Sequence, residues 1–536
     1  MLWQLLKTKW MNALRSSRGL LLIAAVSGLG GGLIGNESAY ARDLFRLAQS
    51  LQLDGVSESS TTYAIGIADL DGNGSQDIFQ GNGFGGPNLV WLNDGQGVLT
   101  DSGLRLANSA TTRSVGLGDF NGDYAIDALV TGTRLPGEGS YPGGTVLLGE
   151  SLNPAGPQLQ GIESVAAALG DLNGDGNPDL YAGAWSTTGA SVWFGDGAGG
   201  FLNSQQPLGT SMTHDVALLD VDRDGDLDAY LATFSGLPDE LWINDGAGKL
   251  FDSGQRLGGS TTTESVVAAD FDADGFPDVF AAGDAGAQVL LNDGHGKLVP
   301  TGQAFGLGLS VPRLAASDFN QDGRIDVLAA VDNGPSRIWL NQGAGNFVDS
   351  GMQIGQSDGR ALGLGDFNGD GRVDFVLGTE DASPTTVWYG IDPRDLNADD
   401  VVDSRDIDAL AANLGKDPNV FDLDLDGKVS HTDLVYYVEH LLHTQFGDAD
   451  LDGDVDLNDF GLLKANFAQP GKGWAEGDFN GNSVPDLDDF GLLKANFGRG
   501  TAGGAAAVPE PAAWSLLLAG LVLCGCRCAM KRRSSR

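Results

Sequence analysis

Cysteine is nearly missing from this chain of 536 residues: Cys524, Cys526 and Cys528 are the whole supply, and all three sit in the C-terminal tail. The body therefore has no disulfide and no thiol chemistry. Histidine is equally sparse, at His214, His295, His431, His440 and His443. No serine stands in a Gly-x-Ser-x-Gly elbow and no His-Glu-x-x-His occurs, so the usual marks of serine hydrolases and zinc proteases are lacking. Basic residues are few as well. With 31 Lys and Arg against 72 Asp and Glu the formal charge is −41, which argues against a nucleic-acid partner.

What the chain does have is acid in a fixed pattern. Nine-residue loops begin at Asp69, Asp119, Asp171, Asp220, Asp270, Asp318 and Asp366, at intervals of 48–52 residues. Position 3 is Asp71, Asn121, Asn173, Asp222, Asp272, Asn320 and Asn368 in turn. Position 5 is Asn73, Asp123, Asp175, Asp224, Asp274, Asp322 and Asp370, and position 9 is Asp77, Asp127, Asp179, Asp228, Asp278, Asp326 and Asp374. Alternation aims side-chain oxygens at one point, and a glycine at position 6 lets the backbone curl round it. Tyr124 takes that glycine's place in the second loop, a departure from the pattern of the other six. Oxygen-only ligands on a curled loop suit a hard cation, calcium before magnesium. More than half of the 72 Asp and Glu lie at such positions here and in the loops described below. Many carboxylates mimic a glycosidase pair, but nearly all of them are committed to loops.

Each of the seven units, within 42–390, has the same order. An alternating strand enters the acidic loop, as in Ser265-Val-Val-Ala-Ala-Asp270, and an apolar strand leaves it. A third strand ends in a turn, as in Leu241-Trp-Ile-Asn-Asp-Gly246, and a fourth follows. Four short strands per unit form a propeller blade, and seven blades close a ring without free edges. The third strands carry Trp91, Trp193, Trp242, Trp339 and Trp388 at one equivalent place, with Leu147 and Leu290 in the other two blades. Such a stripe serves either as a sugar platform or as blade packing, and the leucines favour packing. The seventh unit lacks a fourth strand. Residues 44–53 have the pattern of one and are expected to fill its place, removing two edges.

The Asp-x-Asp/Asn-x-Asp/Asn-Gly-x-x-Asp loops resemble FG-GAP/VCBS repeats, the blades of integrin-α-type propellers. The resemblance implies that each loop joins the first two strands of a blade and holds one calcium. In the last loop it implies Asp366, Asn368, Asp370 and Asp374 as ligands, with the Arg372 carbonyl completing the set.

From 395 the period changes. Twelve-residue loops begin at Asp395, Asp422, Asp448 and Asp478, each followed by a helical pattern. The first offers Asp395, Asn397, Asp399, Asp403 and Asp406; the second Asp422, Asp424, Asp426, Ser430 and Asp433. The third offers Asp448, Asp450, Asp452, Asp456 and Asp459; the fourth Asp478, Asn480, Asn482, Asp486 and Asp489. Positions 1, 3, 5, 9 and 12 are those of an EF-hand, but Asp replaces the usual bidentate Glu at position 12. The loops fall into two pairs, 391–446 and 447–498, and Gly-Leu-Leu-Lys-Ala-Asn-Phe occurs at both 461–467 and 491–497. These pairs resemble type I dockerin modules, which implies a cohesin-like partner and a setting among polysaccharide-degrading assemblies. The family's recognition positions are here Ser404 and Arg405, His431 and Thr432, Leu457 and Asn458, and Leu487 and Asp488, which differ between copies. A calcium-stiffened spacer is the competing reading.

The ends carry addresses. Residues 1–41 have a basic start, an apolar run over 19–34 and the small-x-small site Ala39-Tyr-Ala41, and read as a secretory signal, with an N-terminal membrane anchor as the alternative. Residues 499–536 hold a small-residue linker, Val508-Pro-Glu-Pro511, an apolar run over 512–526 and Lys531, Arg532 and Arg533. This order resembles a PEP-CTERM sorting signal. The resemblance implies an exosortase partner, a transient transmembrane anchor and the surface or extracellular matrix of a Gram-negative bacterium. The expectation is an all-β seven-bladed propeller followed by a small α-helical calcium-loop region. Its function is non-enzymatic: a surface protein binding a glycan or protein partner. The alternative is a part in polysaccharide degradation, with O-glycosyl hydrolase activity.

Overall fold

The computed structural model describes residues 44–51 and 61–500, apart from short stretches including 135–143, 155–158, 185–188, 417–420 and 424–427. Both terminal addresses, Asp424, Asp426 and Tyr141 lie outside the described residues. Among the described residues no helix is long and apolar enough to cross a membrane; the apolar runs at 19–34 and 512–526 lie outside them.

Seven four-stranded antiparallel sheets follow one another along the chain. The first strands of neighbouring blades touch all the way round, Thr62–Ala68 meeting Gly359–Gly365 to complete the circle. They are the innermost strands, and glycine makes their close approach feasible. A Cβ on Gly66 would lie 2.8 Å from Leu117 Cδ1, and one on Gly363 would lie 2.5 Å from Ile65 Cγ2. The second strands have neighbours on both faces. Asp77–Asn82, Asp228–Thr233, Asp278–Gly283 and Asp374–Thr379 are buried at every residue. That explains the apolar residues inside them, such as Val279-Phe-Ala-Ala282 and Phe375-Val-Leu377, each fully buried Val, Leu or Phe contributing about 1.5–3 kcal/mol.

The seventh sheet is completed from the other end of the chain. Phe45–Leu51 pairs antiparallel with Thr385–Gly390, from Phe45 opposite Gly390 to Leu51 opposite Thr385. Gln49 ties this strand to the first blade, accepting from Leu99 N at 3.2 Å and donating to Leu99 O at 2.8 Å. Gln206 and Gln255 accept from Leu250 and Leu298 at the corresponding junctions between other blades. The closing strand thus reproduces an ordinary junction. The tryptophans pack: Trp91, Trp193, Trp242 and Trp339 are buried, and Trp388, half-buried, stacks on Phe375 at 6.0 Å.

After the ring come, among the described residues, four short α-helices, α1 Ser404–Ala411, α2 His431–Tyr436, α3 Leu457–Asn466 and α4 Leu487–Asn496. Helices of this length are not stable alone. Leu410, Leu434, Leu463 and Leu493, each 0% exposed, meet around Trp474 and Phe479 in a single core. The two loop pairs expected as separate units share that core. Trp474 also binds across it, donating its Nε1–H to Asp448 O at 2.6 Å and its N–H to Asp408 Oδ1 at 2.7 Å.

Candidate metal centres

Two left-handed residues shape each nine-residue loop. Position 4 has φ of 59–76° and position 6 has φ of 70–98°. This path turns the backbone N–H groups of positions 5 and 6 inward, and the position 1 carboxylate accepts both at 2.8–3.2 Å in all seven loops. Tyr124 takes the same conformation at φ 70°, with its ring 95% exposed and its N–H on Asp119 at 2.9 Å. The second loop therefore keeps the shape of the others, at a left-handed penalty of about 1–2 kcal/mol for a side chain bearing Cβ.

Position 9 is different in kind. Asp77, Asp127, Asp179, Asp228, Asp278, Asp326 and Asp374 are all 0% exposed. One oxygen of each accepts from the N–H of loop position 2 at 2.8–3.1 Å. The other accepts from the N–H at the end of the third strand at 2.7–2.8 Å. Each of these acids ties its loop to its blade.

The third-strand partner is asparagine in four blades, and it reaches further. Asn93, Asn244, Asn292 and Asn341 donate Nδ2–H to the position 2 carbonyl of the preceding blade's loop at 2.7–2.8 Å. Sequence reading took these asparagines only as turn formers. The signal was there, since Asn recurs at one register while Gly149, Gly195 and Gly390 take the place elsewhere.

The carboxylates gather as a cation would require. Oxygens of Asp69, Asp71 and Asp77 lie within 4.8 Å of one another, as do those of Asp220, Asp222 and Asp228 and those of Asp270, Asp272 and Asp278. Oxygens so spaced can all sit at the 2.3–2.6 Å that calcium takes. The other four loops carry Asn at position 3. In these, Asn121, Asn173, Asn320 and Asn368 donate to the position 5 carboxylate at 2.7–3.1 Å. Burial, with nearby acids adding to it, pushes the Asp228 and Asp326 carboxyls up to about 7 and those of Asp278 and Asp374 up to about 6. A bound cation relieves that strain.

The third and fourth twelve-residue loops begin as the ring loops do, and all four end differently. Asp478 accepts from the N–H groups of positions 5 and 6, Asn482 and Ser483, and the third and fourth loops are left-handed at positions 4 and 6. Position 9, namely Asp403, Ser430, Asp456 and Asp486, is the N-cap of the following helix, and position 12 is its capping-box partner. Asp406, Asp433, Asp459 and Asp489 are buried, each accepting from the N–H groups of positions 2 and 9 at 2.6–2.9 Å. This accounts for aspartate at position 12: its short side chain reaches the backbone on both sides.

The third loop supports a cation best. Oxygens of Asp448, Asp450 and Asp459 lie within 4.8 Å of one another, and Asp448 Oδ1 is buried with no hydrogen-bond partner. Asn397 Oδ1 in the first loop is likewise buried and unpaired. Asp454, at position 7 of the third loop and outside the expected ligand set, lies within 4.8 Å of Asp456 and Asp459 with its own Oδ1 buried and unpaired. An acid at position 7, where the pattern needs none, was the available signal.

The FG-GAP-like repeat matches residues 53–130, 171–231, 220–281 and 318–377. The chain carries FG-GAP-like repeats. Among solved structures it is similar to BBS1N in complex with ARL6DN, at 12% identity over 65% of this chain and 97% of that one, with a TM-score of 0.47. It is also similar to an Agrocybe aegerita lectin recognising non-reducing terminal N-acetylglucosamine, at 21% identity over 61% and 85% of the two chains, with a TM-score of 0.41. No curated protein matches the chain.

Proposed function

We propose that the protein is an exported, calcium-loaded surface module that binds a partner and does no chemistry itself. The carrying observation is that all seven acidic loops join first to second strands and so occupy one face of the ring. The opposite face is built from connections that differ between blades. Between second and third strands, blade five has only 284–285, whereas blade two has 135–144. Variable loops on a rigid frame are where a ligand site is expected. The partner is a glycan or a protein, and calcium on the acidic face stiffens the frame. In this reading the helical region is a spacer or docks a cohesin-like module. The exported chain is held at the inner membrane until an exosortase removes the tail.

A glycan array probed with the full chain, with and without calcium, tests the reading. Arg134→Ala and Tyr141→Ala, at the long connection of blade two, should weaken partner binding and leave the melting point unchanged. Asp366→Ala should lower stability first. Hydrolysis of a polysaccharide by the purified chain would sink the proposal.

A further inference from the structure

The residue six places before each acidic loop is Tyr63, Arg113, Val165, His214, Glu264, Pro312 and Arg360 in turn. These residues stand near the starts of the innermost strands, one per blade, at the mouth of the ring opposite the acidic loops. All seven line one cavity of about 110 Å³, together with Arg313. The cavity is on the ring axis because its lining comes from the same register of every blade.

Three arginines converge there in a protein whose formal charge is −41. Two are neutralised. Arg313 pairs with Asp215 at 3.2 Å; Arg360 pairs with Asp332 at 3.1 Å and donates to Glu380 at 2.6 Å. Arg113 is not. Its guanidinium lies over the Tyr63 ring at 3.9 Å and bonds the Tyr63 hydroxyl, its Nε is buried without an acceptor, and among the described residues no acid forms an ion pair with it, Glu380 acting on it only from a distance. A half-buried cation without a counter-ion is unfavourable, and its planar fork matches a carboxylate. The rest of the lining limits the ligand to one negative charge. The acids on Arg313 and Arg360 repel a dianion, and Glu264, which accepts from Ser310 at 2.9 Å and whose carboxyl burial pushes up to about 7, adds to this where it is ionised. His214, stacked on Phe234 at 4.9 Å, is held neutral near pH 7 by burial, which pulls it down to about 4.

We propose that this axial cavity binds a small monocarboxylate, an acidic sugar or a simple organic acid, with Arg113 as its charge partner. The inference rests on reading the propeller as a binding module. It commits that module to one chemistry at one place, independent of the calcium loops.

The test is calorimetric titration of the full chain in millimolar calcium with galacturonate, lactate, galactose and inorganic phosphate. A carboxylate should bind, with galacturonate alone marking a sugar site and lactate alone an organic-acid site. Galactose should not bind, and phosphate should bind more weakly than the carboxylate. Arg113→Ala should weaken carboxylate binding by about tenfold or more. If that variant does not fold, Arg113→Lys keeps the stem and the charge but not the fork, and should still weaken binding several-fold. No carboxylate binding, equal binding of galactose, tighter binding of phosphate, or unchanged affinity in the folded Arg113 variants overturns the inference. An array-identified partner that binds Arg113→Ala undiminished overturns it while leaving the module reading standing. Carboxylate binding with no array partner does the opposite.

Discussion

The nine-residue loops of the ring and the twelve-residue loops of the helical region start alike and finish apart. The ring loops and, among the described residues, the third and fourth helical loops turn left-handed at positions 4 and 6, and in both kinds position 1 collects N–H groups that this turn exposes. Then the ring loop runs straight into a buried strand, and Asp374 locks it to Gly390. The helical loop continues for three residues, and Asp489 locks it to the N–H of Asp486 at a helix start. One cation-shaped turn thus serves two frames. The frames differ in what they have besides the turn. The ring has seven sheets packed on one another; the helical region has, among the described residues, four α-helices of 6–10 residues and one core. The same loss at a loop should therefore cost the two regions differently.

Removing the closing strand should break the ring more severely than any loop change. Deletion of 44–51 exposes the edge of Thr385–Gly390 and removes the Gln49 junction. Size-exclusion chromatography should show aggregation, and a soluble monomer with an unchanged melting point would refute closure by this strand.

Calcium removal should separate the regions. At sites binding at about 0.1 mM, millimolar calcium contributes roughly 1.5–2 kcal/mol per site. Short capped helices on one core cannot absorb such losses, whereas packed blades can. In EDTA, circular dichroism should lose the helical signal while the strand signal remains, with a lowered melting point for the ring. Calcium should restore both, magnesium less well. Simultaneous loss of both signals would contradict the contrast.

Acidity should sharpen it within the ring. The carboxyls of Asp228 and Asp326 titrate near 7, and those of Asp278 and Asp374 near 6, well above an unfolded aspartate. Between about pH 4 and 7 the chelated native state holds more protons than the unfolded one, so its stability falls as pH rises through that window. The ring in EDTA should melt a few degrees higher at pH 5.5 than at pH 8. With calcium the order should reverse, because ligation needs the ionised form. Identical trends with and without calcium would remove these acids from the sites.

The smallest effect is at position 6 of the second loop. Tyr124→Gly relieves a left-handed residue that is 95% exposed and touches little. It should stabilise the ring by about 1 kcal/mol, less the added freedom of the unfolded chain. Urea unfolding would detect it, and a destabilised variant would show that the ring of Tyr124 holds something.

Repetition made most of the fold readable. A period of 48–52 residues with strand alternation and Asn-Asp-Gly turns leaves little but a seven-bladed ring, and a truncated seventh unit calls for a strand from elsewhere. The loop acids were readable for the same reason. Their division of labour was not, because position 9 of the ring loops and position 12 of the helical loops look like further ligands until burial and backbone partners are seen. The asparagines from Asn93 to Asn341 were read as turn residues because their second partner lies in another blade, 70–274 residues away.

By itself, then, the sequence determined what is local and repeated: strand spacing, the left-handed turn, the oxygens facing it, and the helix starts that follow the last four loops. Such features depend on residues a few places apart, and seven copies average away the noise. Only the tertiary structure decided what depends on closure. It set Phe45–Leu51 beside Thr385–Gly390, merged four short helices into one core, and brought one residue from each blade to the axis beside Arg113. Those residues share no motif, because a ring makes neighbours of equal registers whatever side chains stand there.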